Sequence, residues 1–349
     1  MNDRAVFSSP RGQIRYDDSR DHFENGLLRL LALNGESFAT WLRLAEESSA
    51  PDLLSRLADG FRAVRPGPSG VAATGLVEPG PLAAAGEVWH AQLAENPNFG
   101  VARSPDGAWG WLVRKVADRW VFETTPPVYE QEYFEGDAKQ AGGYGQYAAQ
   151  AGWRLEKAAR QLREIGASTG ITSGRALDLG SGYGYFRAAL EAAGFSHDGI
   201  EISHHARNVA QGLYGFSTLG GTLDDYEQQL TDRYDLITLW DVIEHLADPV
   251  RLFNQIRQCL RPGGVVAIKT PNLDCPEAQV FGPHYHSLKR EHLVYFTPQS
   301  LERAAQLAGL RTVEVSSSSH LLVGFVGSDE TSSWAKSGRG ADLVAYFSR

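Results

Sequence analysis

The chain is 349 residues long, 42% hydrophobic and carries a formal net charge of −9, so two domains with sizeable cores are expected. That charge argues against a broad phosphate-neutralising surface and makes nucleic acid a disfavoured partner. No segment approaches the ~20 apolar residues of a membrane span, the N-terminus lacks the basic-then-apolar pattern of a signal peptide, and the two cysteines, Cys259 and Cys275, fit a reducing cytoplasm rather than a disulfide or four-cysteine zinc framework.

In chain order, Leu27, Leu28, Leu30 and Leu31, then Phe38, Trp41, Leu42 and Leu44, then Leu53, Leu54 and Leu57 predict short helices over about 21–61. Residues 62–81 are rich in Pro, Gly and Ala without periodicity and read as a linker or surface loop. A further helix is expected over Gly86 to Glu95. The period then changes: Val101, Trp109, Trp111, Val113, Trp120 and Phe122 predict a small antiparallel meander, with turns at Pro105-Asp106-Gly107 and Ala117-Asp118. Residues 1–125 therefore form a helical and β-meander domain. It is either a cap over the substrate face or a structural or dimerising appendage; a homodimer belongs to the second reading.

Residues 126–170 are a connecting region, with Tyr129, Tyr133, Tyr144 and Tyr147 ahead of a helix over about 148–165. The domain from 171 to 349 opens on the most informative stretch, Ala176 to Gly184 (ALDLGSGYG). It reads as a buried strand, a glycine turn and a helix beginning at Tyr185 with Phe186, Ala189 and Leu190 inward. Gly180, Gly182 and Gly184 let the backbone approach a ligand where a Cβ would collide. Such a turn binds nucleotide-like cofactors at the carboxyl edge of a parallel sheet. A pyrophosphate site would place its third glycine at the position of Tyr185, and Asp178 would repel phosphate but attract a cation. S-adenosylmethionine, with a sulfonium, an ammonium and no phosphate, suits the turn better. Glu201, at the end of the next apolar run, is placed to accept the ribose hydroxyls, with Ile202 beside it.

The remaining strands are expected near 198–202, 216–219, 235–240, 265–270, 311–316 and 342–348, with helices between them: an α/β doubly wound arrangement. Asp248-Pro249 caps a helix through Leu260, and Thr297-Pro298 opens another that stops at Gly309.

From about Tyr144 onward the chain resembles the class I S-adenosylmethionine-dependent methyltransferases, most closely the group of ubiquinone-pathway, natural-product and sugar methyltransferases. The segments that carry the resemblance are 177–184, 234–246 (YDLITLWDVIEHL), 260–271 (LRPGGVVAIKTP) and 291–298 (EHLVYFTP). It implies a seven-stranded sheet whose last strand is antiparallel, and S-adenosylmethionine as cofactor. Among the implied cofactor contacts, Tyr144 covers the methionine end, with Tyr133 and Tyr147 as weaker candidates. Asp178, Gly180, Ser181, Gly182, Gly184 and Phe186 form the turn and its helix. Glu201 and Ile202 serve the ribose, Thr222 and Leu223 the adenine, and the main chain of Trp240 and Asp241 the ammonium.

Asp241, Glu244 and His245 are the second notable cluster, since residues three and four apart share one face if a helical turn begins at Asp241. His292 lies in a segment that folds over the same mouth in similar enzymes, with His284 and His286 nearby. Three readings stand. His245 or His292 is a general base for a hydroxyl; or Asp241, Glu244, His245 and His292 bind a divalent cation such as Mg²⁺; or Glu244 and His245 brace the loop. The second resembles small-RNA 2′-O-methyltransferases, although Asp241 stands where those carry Glu. The acceptor is expected to be a small polar molecule, methylated at a hydroxyl of a sugar or natural product, with N- or C-methylation of a small metabolite as an alternative. An RNA 2′-hydroxyl would need a basic groove, for which Arg103, Arg114, Lys115 and Arg119 are the available cluster. A non-catalytic scaffold would show an eroded glycine turn, which this chain does not have.

Overall fold

The computed structural model describes residues 6–9, 12–15, 87–90, 98–104, 108–116, 119–125, 129, 131–135, 147–275, 278, 285, 287–318 and 338–349. The expected helices of 21–61, the linker, both meander turns, Tyr144, His284 and His286 lie outside the described residues. The first described pieces, β1 (Val6–Ser9) and β2 (Gly12–Arg15), form an antiparallel hairpin.

The meander is present as β4 (Phe99–Arg103), β5 (Trp109–Val116) and β6 (Arg119–Phe122). Glu87–His90, expected as part of a helix, is instead a strand, β3, paired antiparallel with β4. Val88 and Trp89 favour an extended backbone, and completing a sheet edge outweighs helical propensity there.

Next come helix α1 (Gln131–Glu135) and the long α2 (Ala151–Thr169), which begins after a 3₁₀ turn at Ala148–Gln150 and ends on left-handed Gly170. The larger sheet follows. Its strands are β7 (Arg175–Leu179), β8 (Ser196–Glu201), β9 (Leu219–Gly220), β10 (Tyr234–Trp240), β11 (Leu260–Pro271), β13 (Arg311–Ser318) and β14 (Asp342–Ser348). The spatial order is β13-β14-β11-β10-β7-β8-β9. Every neighbouring pair from β11 to β9 is parallel, and β14 runs antiparallel to both of its neighbours. The third parallel position is only two residues long and sits at Leu219, at the far end of the expected 216–219.

Helices cover both faces, which explains why the strands read as apolar runs. Leu177, Leu179, Ile237, Leu239, Val266 and Ile268 point one way and pack with α5 (Pro249–Cys259) and α6 (Pro298–Leu307) through Phe253, Ile256, Leu301 and Ala304. Ala176, Leu236, Val265 and Ala267 point the other way, against Ala158, Leu162 and Ile165 of α2 and Phe186 and Leu190 of α3 (Tyr185–Ala192). Each such buried Leu, Ile or Phe contributes roughly 1.5–3 kcal/mol. Helix starts follow their caps: Asp248 accepts the Arg251 amide at 2.9 Å, and Thr297 accepts that of Ser300 at 3.3 Å.

One strand ties the two sheets together. β12 (Val294–Phe296) pairs antiparallel with β5 as Val294↔Trp111, Tyr295↔Gly110 and Phe296↔Trp109. β5 thus gives one edge to β4 and divides the other between β12 and β6. Among the described residues no helix is long and apolar enough to cross a membrane.

Candidate functional site

The glycine turn has the backbone its sequence demands. Gly180, Gly182 and Gly184 have φ of +66°, +51° and +84°, a region costly for residues with a Cβ. A Cβ on Gly180 would also lie 2.5 Å from Val242 Cγ2. The Gly180 and Ser181 amides both donate to the Ile200 carbonyl, at 2.9 and 3.1 Å, which folds the turn onto β8. Glu201 is buried; its Oε2 accepts the Gly182 amide and its Oε1 the Ser203 amide, both at 2.8 Å. Burial raises its pKa, and the amide bonds partly offset that. Ser203 in turn caps α4 (His204–Tyr214).

Asp178 is buried beside the turn and accepts from Thr238 Oγ1 at 2.7 Å. Burial pushes its pKa up to about 7, against the opposing pull of that hydrogen bond and of Arg187. Arg187, also buried, braces the neighbouring loop by donating to Thr218 Oγ1 and the Ser217 carbonyl.

Aromatic side chains wall the turn. The Tyr147 hydroxyl stands 3.3 Å from where a Gly182 Cβ would be, and Arg154 lies 3.6 Å over the Tyr147 ring. Phe134 stacks on Tyr183, and Tyr183 joins α1 to α4 through Glu135 and His205, at 2.9 Å each. Ile202, the residue after Glu201, is 52% exposed. Phe186 is buried against Trp240, ring centroids 5.0 Å apart. Leu223 belongs to the main core, and Thr222 is engaged in a capping box with Asp225. Among the described residues, the buried Ser181 Oγ, Tyr185 hydroxyl and Trp240 Nε1 have no hydrogen-bond partner. Glycine cradle, acidic strand end and unsatisfied polar atoms together fit S-adenosylmethionine.

Asp241 departs from the expected cluster. Its φ of +58° takes the chain out of helix, and only Ile243–His245 form a 3₁₀ turn, so Asp241 does not share a helical face with Glu244 and His245. Its carboxylate accepts from Lys269 Nζ at 2.5 Å, and the same buried ammonium reaches Asp342 at 3.2 Å. Burial alone would raise the Asp241 pKa, but Lys269 and Lys157 hold it well below the ordinary range. Lys157 itself is lowered to about 8 by burial and by Lys269. This charge cluster was not expected, because its members are dispersed along the chain.

Glu244, His245 and His292 do converge: one donor atom from each lies within 4.8 Å of the others, and all three are buried. The imidazoles meet edge to face at 4.9 Å. His245 Nδ1 is 2.8 Å from the Glu291 carbonyl and His292 Nδ1 is 2.9 Å from that of Ser287. A carbonyl only accepts, so in the neutral rings both Nδ1 atoms carry the proton and both Nε2 atoms keep a lone pair. Burial lowers the His245 pKa, which favours that neutral form. Glu244 Oε2 accepts from Thr270 at 3.0 Å while Oε1 has no partner among the described residues, and burial followed by the Asp241 charge raises its pKa. The Tyr129 hydroxyl, 3.0 Å from His245 Nδ1, joins the same group; its place ahead of the methyltransferase motifs gave no signal for this.

Residues 150–315 match the methyltransferase-domain family. The ubiquinone biosynthesis O-methyltransferase of Aromatoleum aromaticum is 30% identical over 169 residues, 44% of this chain and 71% of that protein. That of Aeromonas salmonicida is 27% identical over 187 residues, 47% and 78% of the two chains. Similar solved structures include S-adenosylmethionine-dependent methyltransferases from Archaeoglobus fulgidus (18% identical, TM-score 0.44, 58% of this chain and 99% of that one) and Mesorhizobium loti (20%, 0.42, 56% and 100%). The chain belongs to the class I S-adenosylmethionine-dependent methyltransferases.

Replacing Lys269 by Met would leave Asp241 and Asp342 buried without their shared counter-charge. Denaturant unfolding is expected to show a loss of about 3–5 kcal/mol; a variant as stable as the parent would contradict the assignment of this triad.

Proposed function

We propose that the protein methylates a hydroxyl of a small polar acceptor, a sugar or natural product, with His245 or His292 as general base. The observation that carries this reading is the meeting of two imidazoles, each tied through Nδ1 to a main-chain carbonyl, beside the glycine turn's strand-end neighbours. The O-methyltransferase relatives support an oxygen acceptor. Of the basic residues available to an RNA, Arg114 is paired with Glu123 at 2.9 Å, which disfavours that acceptor.

S-adenosylmethionine supplies an electrophilic methyl group on a good leaving group. The chain's part is alignment, worth on the order of 7–11 kcal/mol of the barrier, and removal of the hydroxyl proton. In this reading Glu201 and Ile202 hold the ribose, Thr222 and Leu223 the adenine, Asp178 and the Trp240–Asp241 main chain the ammonium, and Tyr147 with Ser181 the methionine end. An imidazole Nε2 takes the acceptor proton as the oxygen attacks. Burial keeps His245 unprotonated below the ordinary histidine range, so activity through it should persist to lower pH and fall once the ring protonates.

A second reading has one observation in its favour: the unpartnered Oε1 of Glu244 within reach of two imidazoles. These three would hold a divalent ion that lowers the hydroxyl pKa. Two imidazoles and a carboxylate suit Mn, Fe or Zn better than Mg²⁺, and Asp241, paired with Lys269, is not a fourth ligand.

His245→Ala and His292→Ala separate the roles. Loss of the base should lower kcat by about 10²–10⁴-fold with S-adenosylmethionine affinity little changed; full turnover in both variants would end the base reading. Activity that survives exhaustive chelation ends the metal reading. Cofactor affinity should also depend on pH. The Asp178 carboxyl, at about 7 in the free protein, must ionise to meet an ammonium, so affinity weakens as pH falls below 7 and levels off above it. Calorimetry across pH should show this slope in the parent and not in Asp178→Asn; equal slopes would remove Asp178 from that role.

A further inference from the structure

We propose that the N-terminal β-sheet is a positioning element of the acceptor site, acting through Gly110 and Leu112 of β5 on the imidazoles of His245 and His292. The inference rests on the reading of those histidines as acceptor-site groups and assigns a task to a region that carries none of the methyltransferase motifs.

The connection runs through one short stretch of main chain. Leu293 donates its amide to the Glu244 carbonyl at 2.8 Å and accepts the Leu112 amide at 3.0 Å. It therefore bridges the loop that bears Glu244 and His245 to the edge of β5. Two residues earlier, the Glu291 carbonyl fixes the His245 tautomer. His292 lies between them. On the other side of Leu293, β12 continues the pairing with β5, and Thr297 Oγ1 donates to the Ala108 carbonyl at 3.0 Å. The segment that presents His292 and holds His245 thus has its position set by a strand some 180 residues away in sequence.

Gly110 is the closest point of that contact. A Cβ there would lie 2.6 Å from Leu273 Cδ2 and 3.0 Å from Tyr295 Cβ. Its φ is not positive, so glycine serves close approach rather than turn geometry. Tyr295 donates its hydroxyl to the Lys289 carbonyl at 2.9 Å, and its ring lies 6.1 Å from that of His292. A side chain at 110 would first turn the end of Leu273 aside and would then crowd Tyr295 at its Cβ, so that Tyr295 and the 289–292 loop it is tied to must give by a few tenths of an ångström or more as the side chain grows. The cofactor turn is supported separately, by β8 and by the bonds of Gly180 and Ser181 to Ile200. The two halves of the site are therefore separable by mutation.

The test uses the full chain carrying Gly110→Val, with Gly110→Ala as the milder variant that decides the matter if the first does not fold. S-adenosylhomocysteine is the probe for calorimetry, and ¹⁵N imidazole spectra report the tautomers of His245 and His292. The expected result is S-adenosylhomocysteine affinity within about threefold of the parent, with the Nδ1–H signals of both rings displaced or averaged. Unchanged imidazole signals in a folded Gly110→Val, or in Gly110→Ala if the first does not fold, would overturn the proposal. So would loss of S-adenosylhomocysteine binding in a folded variant, which would make the sheet a support for the whole domain. Neither readout depends on turnover: a failure of the general-base reading would appear in the histidine variants and leave this result standing.

Discussion

A buried carboxylate holding two main-chain amides is the constraint on which the cofactor crevice depends. Glu201 reaches from the end of β8 to the Gly182 amide in the turn after β7 and to the Ser203 amide at the start of α4. Desolvating that charge is unfavourable, and charge-assisted bonds to fixed amides are what make it tolerable. The bond joins two adjacent parallel strands at their carboxyl ends. It fixes the left-handed turn against the start of α4.

The rest of the site follows the same logic of fixed polar groups at structural expense. Asp241 sits in a left-handed conformation and is held by Lys269, which is shared with the first residue of β14. The antiparallel strand thereby contributes a charge to the same edge that carries the crevice. Glu244 Oε1, Ser181 Oγ and Trp240 Nε1 are buried and unsatisfied among the described residues, each a loss of roughly 1–3 kcal/mol in a closed core. Such groups are expected where a ligand completes them.

The legible parts of this chain were the local ones. A glycine triplet between a buried strand and an amphipathic helix has one good solution, and Asp248-Pro249 and Thr297-Pro298 mark helix starts by chemistry within four residues. The strand alternation gave the doubly wound sheet for the same reason. What escaped depends on partners far apart in sequence. Val294–Phe296 is too short to read as a strand, and it becomes one because β5 offers it an open edge. Lys269 lies in an apolar run, and its two acids are 28 and 73 positions away. The grouping of Asp241 with Glu244 and His245 assumed helical spacing, which a left-handed residue at 241 breaks. Glu87–His90 is a strand because it pairs with β4, a partner that no local pattern in 86–95 names. Tyr129 had a signal only in its proximity to His245, which no spacing rule supplies.

The constraint is tested by the calorimetric affinity of S-adenosylmethionine for Glu201→Gln, a change that keeps the size of the side chain, removes its charge and leaves a single oxygen for the Gly182 and Ser203 amides. Affinity is expected to fall by about tenfold or more while the fold persists. Binding indistinguishable from that of the parent would mean that neither this charge nor its paired amide bonds support the donor, which is then held by something else.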